Sequence, residues 1–113
     1  MPNQGVEPSD GFKERRRKYE EKWALDEELR FKVTARRNKL VGRWAAGLLG
    51  LSGQAAEDYA KAVVAAGLHA DGVDKVIEKI ATDLAGAGLG PEDVHAKLDE
   101  LTLEAKEQIE QAK

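Results

Sequence analysis

The chain contains no cysteine. That removes disulfides, thiolate metal centres and cysteine nucleophiles, and it fits a reducing compartment. Only three prolines interrupt 113 residues, so long helices can run unbroken. Aromatics make up 5% of the chain, so any core must be mainly aliphatic. No run approaches the ~18 apolar residues that span a bilayer. The longest candidate, 40–51, is broken by Gly42 and Arg43. The opening MPNQGVEPSDG lacks a basic stretch followed by an apolar one, so no secretory signal is expected and the cytoplasm is the expected location. Serine occurs only at positions 9 and 52, which leaves no Ser/His/Asp arrangement. His69 and His95 are far apart, whereas a metal site needs three or four convergent ligands. The carboxylates are scattered, with nothing to split their pKa values. These absences argue against an enzyme and against a metal or cofactor site.

What is present is charge and helix-forming residues. Charged side chains make up 35% of the chain, against ~25% in an average domain. Abundant Ala, Glu, Lys and Leu favour helix, and no segment alternates with period two, so no strand is expected. The net charge of −3 is unevenly divided. Residues 1–56 carry 12 basic and 8 acidic groups, a net +4; residues 57–113 carry 6 and 13, a net −7. A basic front and an acidic back suggest different tasks for the two halves. The pI of 5.5 argues against a general nucleic-acid binder.

Residues 1–11 are rich in Pro and Gly and nearly devoid of apolar groups, the signature of a disordered tail. A charged stretch with helical periodicity follows from Phe12 to about Leu49. Phe12, Tyr19 and Trp23 fall at i, i+7 and i+11. Leu25, Leu29, Val33, Leu40, Trp44 and Leu48 share a broad face, which Phe31, Ala35, Val41 and Ala45 widen. Ser52 and Asp71 are candidate N-caps for the next two helices, closed by Gly67 and Gly86. The first carries Val63 and Val64; the second carries Val73, Val76, Ile80 and Leu84. Gly90-Pro91-Glu92-Asp93 opens a last helix with Val94, Leu98, Leu101, Ala105, Ile109 and Ala112 on one face. Short connections make neighbours antiparallel. The expectation is an all-α fold, a small four-helix bundle with helices about 23–49, 53–66, 72–85 and 91–112.

One length does not fit that bundle. A continuous helix over 12–49 would be ~57 Å long at ~1.5 Å per residue. A globule of this size is only roughly 34 Å across. The excess must project, bend back or be disordered, and a lone helix of that length is marginal in water. Residues 1–22 therefore read as a flexible arm and 23–113 as the folded domain. Phe12, Tyr19 and Trp23 would anchor the arm in a partner's groove.

The remaining motifs have bland and functional readings. Arg15-Arg16-Arg17-Lys18 either contacts an anionic surface (protein, nucleic acid or membrane) or is a solvated turn balanced by Glu14, Glu20 and Glu21. The interleaved acids would repel phosphate, which disfavours nucleic acid. Arg36-Arg37-Asn38-Lys39 would either lay aliphatic stems over the core edge or pair with acids such as Asp58 or Asp83. Trp44 reads as core, and Trp23 as core or binding anchor. The glycines of 86–90 mimic a phosphate loop but lack its Lys-Ser/Thr and a preceding strand.

The run Phe31-Lys32-x-x-Ala35-Arg36-Arg37-Asn38-Lys39-Leu40-x-Gly42-x-Trp44-Ala45-Ala46-x-Leu48-Leu49-Gly50 is specific. So is Ala55-Ala56-x-x-Tyr59-Ala60-x-x-Val63-Val64 after it. Together with Phe12, Arg15, Tyr19, Glu20, Lys22, Ala24, Asp26 and Glu28, they resemble the alphaproteobacterial zeta family, small inhibitory subunits of the F-type ATP synthase. The likeness spans 12–113 and is strongest up to Val64. It implies an arm that enters an alpha/beta catalytic interface near gamma and stops rotation in the hydrolysis direction. With the arm's own anchors and basic run added, the expected partner-binding residues are Phe12, Arg15, Arg16, Arg17, Tyr19, Glu20, Lys22 and Trp23. Arg36, Arg37, Asn38 and Trp44 would form the scaffold motif. Lys13 and Arg16 stand where many relatives carry acids, so this arm is more basic than usual. The implied partners are the alpha, beta and gamma subunits, without nucleic acid or membrane insertion. The free protein is expected to be a monomer, bound peripherally at the inner membrane only through the ATP synthase. The rival reading is a generic helical interaction module with another target.

Overall fold

A computed structural model describes Glu14, Arg17 and residues 26–112. Among them are four helices: α1 (Glu27–Leu48), α2 (Gly53–Ala66), α3 (Gly72–Asp83) and α4 (Pro91–Gln111). A 3-10 turn at Ala85–Ala87 lies between α3 and α4. No strand occurs among the described residues, and the all-α expectation holds. Among the described residues the first helix begins at Glu27, against an expected start at about 23. Asp26 is extended (φ −107°, ψ 102°), and its Oδ1 accepts the Leu29 N–H at 3.0 Å. A side-chain oxygen satisfying an orphan N–H in this way defines an N-cap, so one straight helix through 12–49 is ruled out.

The ends of the other helices follow their local chemistry, with two corrections. Ser52 and Asp71 occupy the cap positions, yet neither side chain makes the capping bond. Residue 85 falls in the 3-10 turn rather than in α3. The end of α1 is a Schellman motif. The Leu51 N–H reaches Ala46 O (2.9 Å), the Gly50 N–H reaches Gly47 O (3.1 Å), and Gly50 adopts φ 78°. That positive φ suits glycine and strains other residues. At α4, Pro91 sits in the first turn and the Gly90 N–H donates to Asp93 Oδ2 at 2.9 Å.

Among the described residues the core has two parts. Val41 and Ala45 of α1 meet Val63 of α2, Val76, Ile80 and Leu84 around α3, and Val94, Leu98 and Leu101 of α4. Trp44, Tyr59 and Leu40 close its edges. A smaller cluster joins Val33 to Ala105, flanked by Leu29, Leu40 and Ile109. Another α1 stripe, Asn38, Gly42 and Ala46, is also buried. Here α2 approaches so closely that a Cβ on Gly42 would lie 2.8 Å from Ala60 Cα. Small residues in this stripe set the α1–α2 separation.

Four residues expected on inward faces are exposed: Phe31, Leu48, Val73 and Ala112. Phe31 has a simple reason. It shares a stripe with Ala35, Asn38 and Gly42, the side of α1 that faces α2. But α1 has 22 residues and α2 only 14. Where α2 ends, Gly67 packs on the Asn38 side chain, so Phe31 lies two turns beyond α2. Leu48 is the last residue of α1 and stands outside both apolar clusters.

Candidate functional site

The space beyond the end of α2 is a groove of about 470 Å³. Phe31, Thr34 and Ala35 line it from α1, Val64 from α2, and Gly67 and Leu68 from the link that follows. Phe31 is 63% exposed and Leu68 67%, the two most exposed large apolar residues described. A second, more open groove of about 380 Å³ runs along the other side of Phe31, past Lys32, Arg36 and Lys39 to Ile109. Phe31 thus forms an apolar ridge between two grooves, rimmed mainly by cations. Arg30 and Lys32 are loosely balanced by Glu27 (3.6 Å) and Glu28 (3.9 Å). Exposed pairs of this kind contribute little to stability, which leaves the cations available to a partner. The ridge stands one turn beyond the Asp26 cap.

The scaffold motif divides by depth. Asn38 is buried, and Arg37 is half-buried with its Nε donating to Asn38 Oδ1 at 3.1 Å. Burial lowers the Arg37 pKa, and Asp99 on α4 partly opposes that. Asp58 and Asp83, the acids expected to pair with this run, are engaged elsewhere. Asp58 accepts from Gln54 (2.8 Å). Asp83 accepts from the Tyr59 hydroxyl (2.6 Å) and Lys79 (3.3 Å). The polar seam of the bundle is therefore Tyr59–Asp83–Lys79, tying α2 to α3, with Lys79 also 4.9 Å from the Tyr59 ring. Arg36 is exposed. Trp44 is half-buried against the main core, and Lys97 Nζ lies 5.5 Å from its ring centroid. Spacing alone did not mark Leu68 as surface-forming, since it lies in a link.

Of the arm residues, Phe12, Arg15, Arg16, Tyr19, Glu20, Lys22 and Trp23 lie outside the described residues. Arg17 is helical and exposed, with its guanidinium 4.0 Å from Glu14. His95 lies 3.6 Å from Asp99, and among the described residues no group of three or more His, Asp or Glu side chains could hold a metal. Among those residues, no helix is long and apolar enough to cross a membrane.

A family model described as ATPase inhibitor subunit zeta matches residues 9–108. No curated protein matches the chain. The matched span takes in α1, α2, α3, most of α4 and the basic segment before α1. On that span the chain belongs to the ATPase inhibitor subunit zeta family.

Proposed function

We propose that this protein binds the catalytic head of the F-type ATP synthase and restrains ATP hydrolysis, with residues 1–22 as the effector. The arm enters an alpha/beta catalytic interface near gamma. Phe12, Tyr19 and Trp23 fill apolar pockets there, and Arg15, Arg16, Arg17 and Lys22 meet acidic groups on the partner. Glu20 lies on the same segment and completes the interface. The ridge at Phe31 and its cationic rim extend that contact onto the bundle. The protein acts as a wedge, without chemistry of its own, and the ATP synthase is what holds it at the membrane.

The observation that carries this reading is the capped start of α1 at Asp26. It separates the basic segment from the four helices that share the main core, and the family match covers both parts. The deciding experiment is an ATPase assay on the cognate head, with the intact chain and with a chain lacking residues 1–22. The truncated chain is expected to fold and to lose inhibition. Equal inhibition by both would refute the arm as effector.

A further inference from the structure

Helix α4 is buried on two opposite sides. Its inner side, Val94, Leu98, Leu101 and Ala105, belongs to the bundle. Leu103 stands two residues from both Leu101 and Ala105. At ~100° per residue it points ~160° away from each. It belongs to neither apolar cluster, yet it is only 3% exposed. Lys106, on the same outer side, is 9% exposed. Glu107 and Glu110 continue the stripe at i+4 and i+7 from Leu103; both are half-buried, and Glu110 Oε1 is shielded from solvent. Lys106, Glu107 and Glu110 all take part in polar or ring interactions. One to two turns earlier on this side, Ala96, Asp99 and Glu100 are exposed. The outer burial is therefore confined to the C-terminal half of α4.

We propose that this outer face of α4 is the resting seat of the N-terminal segment, which folds back onto its own bundle until a partner takes it. Three observations select this occupant. Leu29 and Ile109 share one apolar cluster, so α1 starts beside the end of α4, and the chain preceding Asp26 sets out from there. Its length suffices: the stripe 103–110 is ~10 Å long, and residues 12–23 as a helix would span ~16 Å. The charges match. Residues 13–22 carry six basic and three acidic groups, while the seat offers Glu107 and Glu110 beside Leu103. The extended backbone at Asp26 supplies the change of direction. The aromatic edge of the arm would cover Leu103, with its arginines and lysines over the glutamates. A long Lys106 stem packs equally well against aromatic rings.

This inference rests on the reading of residues 1–22 as the effector, because a seated arm is then a withheld one. If nine-tenths of the chains are seated, apparent affinity for the head falls about tenfold.

The test is paramagnetic relaxation in the full-length chain carrying Lys18→Cys as the only thiol, spin-labelled. Strong broadening is expected at the 103–110 amides, with α2 amides 55–62 unaffected. Glu107→Lys with Glu110→Lys should cut that broadening at least by half and leave the α2 and α3 spectrum intact. Broadening of α2 instead, or none on α4, overturns the seat. Broadening seen only between labelled and unlabelled chains in a mixed sample overturns it in favour of a second copy. An ATPase titration with the same double variant separates the two claims. Inhibition about tenfold stronger supports both. Seating without any effect of residues 1–22 on ATPase retains the seat and removes the effector reading.

Discussion

The two halves of α1 are built for different work. From Val41 to Ala46 the helix is almost wholly enclosed, with α2 against Gly42 and the main core against Val41 and Ala45. From Glu27 to Lys39 only Val33 and Asn38 are fully buried, and Phe31 stands in solvent between two grooves. The difference comes from partner length, since α2 is too short to cover the first turns of α1. One half is thus anchored at close quarters, and the other presents a surface next to the point where the basic segment departs.

Substitutions can break that contrast in graded fashion. Gly42→Leu should be the most damaging, because its side chain meets backbone at Ala60 rather than a movable side chain. Overpacking of this kind costs about 3 kcal/mol, read as a lowered urea midpoint at unchanged slope. Tyr59→Phe removes a 2.6 Å bond to Asp83 and should cost about 1 kcal/mol. Burial, then the Asp83 contact, pushes the Tyr59 hydroxyl well above its ordinary value of 10. Its contribution is therefore complete below that value and fades as pH rises through the folded-state pKa. The phenylalanine variant should lack this alkaline loss in pH-resolved denaturation.

Arg43→Met should act more weakly, and its signature is pH dependence. Arg43 reaches both oxygens of Glu57, at 3.1 and 3.2 Å, and its hydrogen bond holds that carboxyl below 4.5. The stabilisation is present above the ordinary value and is lost as pH falls through the lowered one. The variant should be slightly less stable than the parent at neutral pH, and the difference should close as pH falls, which is a flatter acid limb. Phe31→Ser should be the mildest for stability, within ~0.5 kcal/mol, as for other exposed sites. It should nonetheless weaken inhibition of the cognate ATPase; an unfolding midpoint that drops as far as for Gly42→Leu would erase the contrast between the halves.

Much of this was legible in the residues. Apolar spacing located the inward faces of α3 and α4, and glycine and proline marked the breaks between helices. Periodicity could not show that Phe31 would be exposed, because exposure depends on where another helix stops. It could not show the second buried side of α4 either: Leu103 sits off the main stripe, and single off-stripe leucines are ordinary surface residues. The break at Asp26 was readable in principle, since Asp-Glu-Glu ahead of Leu29 is a start signal. The uninterrupted helical spacing from Phe12 onward masked it. Asn38 is buried in α1, but its contact with Gly67 depends on the path of the α2–α3 link, which spacing does not give.

The most direct test is a titration of the cognate head's ATPase with a chain carrying Phe12→Ala, Tyr19→Ala and Trp23→Ala, alongside its thermal unfolding. Trp44 remains as the fluorescent reporter of folding. If the segment before Asp26 is the effector, half-inhibition should need at least about 100-fold more protein, since each lost anchor costs over 1 kcal/mol, while the unfolding temperature stays within a few degrees of the parent's. Half-inhibition at the parent's concentration, with the bundle intact, would contradict it.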